Sequence, residues 1–280
     1  MHIDGKFKLL SRIGGGSQGD VFIARNILSG TEVAIKLQHL ESGRALEREY
    51  LVYKSLTGGP GIAHLCWFGT DSGHHTMAMD RLGPSLEDVL SQTGQKLVAE
   101  VVAHIGCQMV SCLEFIHTRD FIHHDIKPSN LLLGTGSNKD PIYLIDFGLA
   151  HVYRDHKTRR HIPYREHLPF VGTKSFASIN SHLGLELSGR DDLEMLAYVL
   201  IYLLCGSLPW GDGSYSQTLQ AKMDLDRSVF IPSEFFTFLD YARGLSFNTK
   251  PNYDYLRSLF MSLLGDHSMA YPDVFEKPRS

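Results

Sequence analysis

One short stretch restricts the fold and chemistry of this chain more than any other. It reads FIHHDIKPSNLLL at residues 121–133 and is followed, after a polar loop, by LIDFG at residues 144–148. Asp125 can accept or orient the proton of an attacking hydroxyl, while Asn130 and Asp146 supply the hard oxygen ligands that Mg²⁺ prefers. A phosphoryl group in transfer needs its charge neutralised and its nucleophile held in line, and little covalent help. The ordered set predicts a catalytic loop for phosphoryl transfer. It disfavours a zinc site or a plain polar loop, because HHD lacks the spacing of zinc ligands.

Composition limits the classes of partner. The 280 residues suffice for one large domain or two lobes with a buried core, and 43% hydrophobic with 21% charged residues is ordinary for a globular protein. The net charge of -4 lacks the excess of positive charge typical of proteins that bind nucleic acid or an anionic membrane, so we expect neither as a partner. The four cysteines form no C-x-x-C pair, which favours a reducing compartment. The first residues lack the apolar segment of a secretory signal, and we expect a cytoplasmic protein with the nucleus as an additional location.

The most apolar run, MLAYVLIYLLC at residues 195–205, predicts a buried central helix. It is too short to span a bilayer, and Gly206 and Pro209 end it. Asp191 and Asp192 precede it, where a helix N-terminus favours negative charge.

A glycine-rich turn, IGGGSQGDV at residues 13–21, lies between two strands predicted from Phe7 to Asn26. Its glycines let backbone N–H groups approach phosphates closely. A G-x-G-x-x-G pattern alone is weak evidence because dinucleotide-binding folds share it, but here a strand follows instead of a helix. The predicted nucleotide contacts in this turn are Ile13, Gly14, Gly16, Gly19 and Val21.

The next predicted strand, EVAIKL at residues 32–37, contains a lysine that can reach the α and β phosphates as a point charge. Lys36 needs a carboxylate to hold it, and the predicted helix at residues 44–56 offers Glu47 and Glu49. We expect Glu49 to fill the role, because it shares a face with the apolar positions of that helix and points inward.

Two further predicted strands end near Met79, where DRLGP at residues 80–84 breaks the pattern. This break is the best candidate for a linker between lobes. A nucleotide base lodged there would be recognised by backbone groups of Asp80 and Leu82, with Met79 at the back of the pocket. Ala34 and Leu133 complete the predicted nucleotide contacts.

Helical patterns dominate the remainder. SLED at residues 85–88 predicts a helix start with a capping box. Apolar residues between Lys96 and Arg119 step by three and four, which predicts a long amphipathic helix leading into the catalytic loop. Further helices are expected at residues 235–243 and 253–264.

About thirty residues after Gly148 show no periodicity, and long loops in compact domains are usually functional. The segment is rich in basic residues, which fits either a solvated charged loop or a surface for acidic substrates. Its basic residues are Arg154, Lys157, Arg159, Arg160, Arg165 and Lys174.

With these motifs in place, the sequence resembles the eukaryotic protein kinases and, within them, the casein kinase 1 family. The closer match is carried by LGPSLED at 82–88, HIPYRE at 161–166, SIN at 178–180 and SLPW at 207–210. The resemblance covers residues from about 7 to 275. It implies an α+β, bilobal protein kinase fold, with a small β-rich N-lobe carrying one helix and a larger, mostly helical C-lobe. It also implies ATP with Mg²⁺ and transfer to serine or threonine of protein substrates by a monomer.

The resemblance further implies a layout and a role for each site residue. The layout is a single domain over 1–280, with the N-lobe at about 1–79, the hinge at 80–84 and the C-lobe at 85–280. Lys127, two residues after the catalytic aspartate, favours serine and threonine over tyrosine. The implied roles are an ion pair for Lys36 and Glu49, the catalytic base for Asp125, a γ-phosphate contact for Lys127, metal ligands for Asn130 and Asp146, and a brace of the catalytic loop for Asp192.

Departures from the family pattern affect the substrate side. His124 replaces the arginine of H-R-D, Gln18 replaces an aromatic residue at the tip of the glycine turn, and Ser175 replaces the arginine of Gly-Thr-x-Arg. Residues 211–221 contain no lysine or arginine, where the family is lysine-rich. We therefore expect catalysis with a weakened pocket for phosphate-primed substrates.

Two other classes remain as alternatives to an active protein kinase. A pseudokinase scaffold would bind nucleotide and partners without turnover, but such proteins usually lack one of the residues that Lys36, Asp125, Asn130 and Asp146 provide here. A small-molecule kinase would share the H-x-D pattern, and the intact DFG motif argues against it.

Overall fold

The structure is a computed structural model that describes residues 2–16, 19–94, 96–136, 141–225, 227 and 231–264. Its first part is a six-stranded antiparallel sheet. The strands are β1 (His2–Ile3), β2 (Phe7–Gly16), β3 (Gly19–Asn26), β4 (Glu32–His39), β5 (Leu65–Asp71) and β6 (His74–Asp80). Their order across the sheet is β1-β2-β3-β4-β6-β5.

Side-chain burial alternates along β4, as expected for a strand in a sheet with one face packed on a core. In β4, Val33, Ile35 and Leu37 are buried on one face, while Ala34 and Lys36 point to the other. One helix, α1 (Ala45–Ser55), packs against the sheet and buries Glu49 among apolar neighbours. The small part of the molecule is thus a sheet with one helix.

The second part is mostly helical. Its helices are α2 (Leu86–Thr93), α3 (Ala99–Thr118), α4 (Ile179–His182), α5 (Gly189–Cys205), α6 (Tyr215–Met223), α7 (Ser233–Gly244) and α8 (Tyr253–Met261). Short strands β7 (Phe121–Ile122), β8 (Leu131–Leu133), β9 (Ile142–Leu144) and β10 (His151–Val152) form two small ribbons, β7 with β10 and β8 with β9. Both ribbons lie beside the catalytic loop, which they help to position.

The helix α5 forms the centre of this part and is buried along almost its whole length. A capping box between Ser188 and Asp191 begins it, and Gly206, with a φ of 74°, ends it. The helix α3 packs against α5 and α8. By length and composition α3 could cross a bilayer, but most of its apolar side chains are buried within this helical core.

The predicted α+β, bilobal architecture is confirmed. Boundaries differ in detail: α3 begins at Ala99, three residues after the predicted start, and α8 ends at Met261. The sequence patterns gave no indication of β1, α4 or α6, which are short or weakly amphipathic.

Candidate active site

A cavity of about 650 Å³ lies where the sheet meets β8 and the catalytic loop. Its size is typical of a pocket for a small molecule or cofactor. Most of the predicted site residues line it: Ile13, Gly19, Val21, Ala34, Lys36, Glu49, Met79, Asp80, Leu82, Asp125, Lys127, Asn130 and Asp146. The structure therefore brings together residues that are more than 100 positions apart in the chain.

Leu133 does not line this cavity, and its predicted place there was wrong. Side chains alternate along β8, so Leu131 and Leu133 point into the core while Leu132 between them faces the cavity. The two-residue period of a strand separates Leu132 from Leu131 and Leu133, but three identical residues do not indicate which face meets the cavity.

In the glycine turn, Gly15 and Gly19 line the cavity, whereas Gly14 and Gly16 do not. Gly14 pairs with Val21 across the hairpin, and Gly16 pairs with Gly19 at its tip. Glycine is required at position 19, because its φ is +119° and a Cβ there would lie 2.1 Å from the carbonyl oxygen of Leu37. Gln18 lies outside the described residues.

Lys36 joins two carboxylates at the inner end of the cavity. Its Nζ lies 2.7 Å from Glu49 Oε2 and 3.0 Å from Asp146 Oδ1. Burial acts to lower the pKa of Lys36, but the two carboxylates outweigh burial and raise it, so the ammonium stays charged. Glu47, the competing candidate, points away, with 36% of its side chain exposed, and lies 3.6 Å from Arg44.

Asp125 is held from two sides. Lys127 Nζ lies 2.7 Å from its Oδ2, and Thr173 donates a hydrogen bond of 2.6 Å to its Oδ1. Lys127 also donates to Thr173 Oγ1 at 3.1 Å. Thr173 was missed by the sequence analysis, because it lies in the long segment that lacks periodicity.

Asn130 and Asp146 have an oxygen each that fits a magnesium ion. The side-chain amide of Asn130 donates to the carbonyl of Asp125 at 2.8 Å, which leaves its Oδ1 as the ligand atom. Asp146 uses Oδ1 for Lys36 and keeps Oδ2. Burial acts to raise the pKa of Asp146, but Lys36 lowers it overall and keeps the carboxylate charged. The donor set thus suits a hard cation.

Asp192, at the start of α5, braces the catalytic loop as the resemblance implied. Its fully buried carboxylate accepts hydrogen bonds from the backbone N–H of His123 at 2.8 Å and of His124 at 2.9 Å. His117 Nε2 approaches the same carboxylate at 2.9 Å. Burial acts to raise the pKa of Asp192, but the hydrogen bond from His117 and the nearby histidines lower it.

Phe147 fixes the orientation of Asp146. Its buried ring stacks edge-on against Tyr53 of α1 and His123 of the catalytic loop, with centroids 4.8 and 4.9 Å away. Asp146 has a φ of 65°, and its backbone N–H donates to Tyr53 Oη at 3.3 Å. This contact links α1 directly to Asp146, a predicted metal ligand.

His124 has a positive φ of 72° and a buried side chain. Burial lowers its pKa to about 4, so the imidazole is neutral at pH 7. Among the residues that the structure describes, its Nε2 has no hydrogen-bond partner. His124 therefore offers neither a charge nor a forked donor to the segment that follows Gly148.

The basic residues near Ser175 are engaged in protein contacts. Lys174 Nζ donates to the carbonyl of Gly213 at 2.6 Å, and Trp210 Nε1 donates to the carbonyl of Ser175 at 2.8 Å. Lys222, which sequence reasoning did not single out, is fully buried. Its Nζ donates to the carbonyls of Lys174 and Ala177, and burial lowers its pKa to about 7.

A family model for the protein kinase domain matches residues 7–245, which is most of the chain. The match spans strands β2 to β6, the predicted hinge, the catalytic loop and the long segment after Gly148. Together with the fold and with the assembled lysine, carboxylates and asparagine around the cavity, it shows that this chain belongs to the protein kinase domain family.

Proposed function

We propose that the chain is an active serine/threonine protein kinase of the casein kinase 1 type. It transfers the γ-phosphate of ATP to a hydroxyl of a protein substrate, with Mg²⁺ as the metal. The observation that carries the proposal is that Lys36 forms ion pairs with both Glu49 and Asp146. All three residues line the same cavity as Asp125. In protein kinases the lysine–glutamate pair and the metal-binding aspartate must both be in place for transfer.

Each residue has a distinct part in the mechanism. Asp125 orients the substrate hydroxyl and accepts its proton, and Lys127 and Thr173 fix that carboxylate. Lys36 places a positive charge beside the α and β phosphates. Asn130 and Asp146 would hold the metal, which when bound neutralises charge on the phosphates. Most of the rate acceleration then comes from positioning and electrostatics.

Serine and threonine specificity is supported by Lys127. It bridges Asp125 and Thr173, so its ammonium lies beside the catalytic carboxylate, where the γ-phosphate would be transferred. The casein kinase 1 assignment is supported by the SLED capping box, in which Ser85 and Asp88 bond reciprocally at the start of α2.

The test is an assay with purified protein, ATP, Mg²⁺ and three acidic peptides that differ only in a central serine, threonine or tyrosine. We expect phosphate on the serine and threonine peptides and little on tyrosine. Nucleotide binding without transfer to any peptide or to an acidic protein would favour a scaffold. Transfer only to small hydroxyl compounds would favour a small-molecule kinase.

Activity should not depend on phosphorylation of the segment between Asp146 and Ser178. Kinases that depend on it commonly clamp the loop phosphate with the arginine of H-R-D through a bidentate contact. His124 is buried and neutral, and an imidazole does not have the paired N–H donors that a bidentate contact needs. Treatment of the purified enzyme with a broad phosphatase should leave the rate on an external peptide nearly unchanged, and a large loss of rate would refute this account.

Preference for a phosphorylated residue three positions upstream of the target should be weak. A phosphate there carries nearly two negative charges and needs a cationic pocket. The pocket's arginine position is Ser175, Lys174 is bonded to the Gly213 carbonyl, and Lys222 is buried. Of the further candidates Arg159 and Arg160, Arg159 donates a hydrogen bond to the carboxylate of Asp120. An exposed ion pair adds only about 0–1 kcal/mol.

We expect kcat/KM for a phosphoserine peptide to exceed that of the alanine peptide by roughly tenfold or less, which is about 1.4 kcal/mol. An aspartate peptide completes the series. A preference above roughly a hundredfold, about 2.7 kcal/mol, would mean that other cations rebuild the pocket. Lys174→Ala would then identify whether this lysine is one of them.

A further inference from the structure

Three side chains of different chemistry meet beside the hinge, and two of them, His64 and Cys66, lie outside the residues that line the nucleotide cavity. His64 lies just before β5, and Cys66 is the second residue of β5, where the pairing with β6 is interrupted by an irregularity between Leu65 and Trp67. Asp80 ends the neighbouring strand β6, and its backbone N–H donates to the carbonyl of His64 at 3.0 Å. Pairing of the two strands therefore holds the three side chains together.

The ligand atoms of this cluster form an equilateral triangle. Cys66 Sγ lies 4.0 Å from His64 Nδ1 and 4.0 Å from Asp80 Oδ1, and those two atoms are also 4.0 Å apart. The centre of such a triangle lies about 2.3 Å from each corner, since 4.0 Å divided by √3 is about 2.3 Å. Bonds from zinc are about 2.3 Å to cysteine sulfur and about 2.0–2.2 Å to histidine nitrogen or carboxylate oxygen.

The cluster is also oriented for binding. The backbone N–H of His64 donates to Asp80 Oδ2 at 3.2 Å, which fixes the carboxylate and leaves Oδ1 facing the thiol. The side chains of His64 and Asp80 are 67% and 48% exposed, so an ion can reach them from solvent and keep a water as a fourth ligand.

We propose that His64, Cys66 and Asp80 form a binding site for a zinc-type divalent ion at the junction of β5 and the hinge. Thiolate and imidazole ligands favour zinc over magnesium or calcium, which prefer oxygen ligands throughout. The site is therefore distinct in chemistry from Asn130 and Asp146. Burial and the Asp80 carboxylate raise the pKa of Cys66 to about 11 in the metal-free protein, and the ion displaces the thiol proton on binding.

The site would join the edge of the sheet to the nucleotide cavity. Asp80 lines that cavity as well as the proposed metal site, and β5 is the outer strand of the sheet. A bound ion would hold β5 against the end of β6, where the chain leaves the sheet for the hinge. Binding does not require that the protein transfer phosphate, so its test is independent of the proposed kinase activity.

The test is a titration of the full-length, reduced protein with Co²⁺ in the absence of nucleotide. We expect the near-ultraviolet absorption of a cobalt–thiolate bond to saturate at one equivalent and to disappear when Zn²⁺ is added. Cys66→Ser should abolish the band, and His64→Gln should weaken Co²⁺ binding by at least roughly tenfold. Zn²⁺ should raise the melting temperature of the wild type and leave that of Cys66→Ser unchanged.

Two matched variants act as controls. Cys205→Ser removes a half-buried thiol elsewhere and should keep the band. His74→Gln removes a histidine outside the proposed site, where His39 and His74 have their Nε2 atoms 3.2 Å apart, and it should also keep the band. Absence of a thiolate band in the wild type, or a band that survives Cys66→Ser, would overturn the proposal.

Discussion

Replacing Asp146 with asparagine is expected to lower the rate of phosphoryl transfer by at least roughly a hundredfold, since one preorganised electrostatic contact is worth about that much. The substitution removes the charge on a proposed metal ligand whose carboxylate is kept ionised by Lys36. The fold should persist, because Lys36 keeps its contact of 2.7 Å with Glu49. Initial rates at saturating ATP and Mg²⁺, together with melting curves, measure both effects.

Lys36→Met should give a loss of the same order by removing the positive charge beside the phosphates. It leaves Glu49, which is only 3% exposed, without its partner. Burial already raises the pKa of Glu49, so this carboxyl can take up a proton instead of remaining as a buried charge. Lys54→Met, an exposed lysine of α1, is the matched control and should keep normal turnover. Near-normal turnover in either Lys36→Met or Asp146→Asn would mean that the site is wrongly assigned.

Asp192→Asn is expected to impair stability and catalysis together. An asparagine oxygen can accept one or two of the three hydrogen bonds that His117, His123 and His124 direct at this carboxylate, and its NH₂ group would oppose a donor. A buried donor left without an acceptor costs about 1–3 kcal/mol. We expect unfolding free energy to fall by about that amount and kcat to fall more than tenfold, because the backbone that carries Asp125 is no longer fixed.

Asp191→Asn is the matched control for this variant. Asp191 is equally buried, but its carboxylate contacts Ser188 and Asn180 and not the catalytic loop. We expect a loss of stability of about 1 kcal/mol from the weakened cap, with kcat unchanged. If both variants lowered kcat equally, the loss would come from a weakened α5 and not from the lost hydrogen bonds between Asp192 and the catalytic loop.

Much of the site could be predicted from the sequence because its residues occur in short, ordered motifs. The catalytic loop and DFG each fix several side chains within a few positions, and Lys36 directly follows the apolar run VAI inside a predicted strand. The choice of Glu49 over Glu47 followed from helical periodicity, and the structure places Glu49 against Lys36.

Contacts between distant segments could not be predicted in this way. Thr173 reaches Asp125 from 48 residues away, within a segment without periodicity. The stack of Tyr53, Phe147 and His123 joins three elements that no local pattern relates. The error at Leu133 has a different origin, because three identical leucines in β8 do not indicate which of the two alternating faces meets the cavity.

The most direct test of the account compares wild type with Asp125→Asn for transfer of labelled γ-phosphate from ATP to a serine peptide, with nucleotide affinity measured in parallel. The asparagine can still accept the hydrogen bond from Thr173, so the loop should keep its shape while it loses the base. We expect transfer to fall by at least roughly a hundredfold, the usual contribution of a positioned base, with an unchanged Kd for nucleotide. Equal transfer by both proteins, or nucleotide binding without transfer by the wild type, would contradict the central claim that Asp125 is the catalytic base of an active kinase.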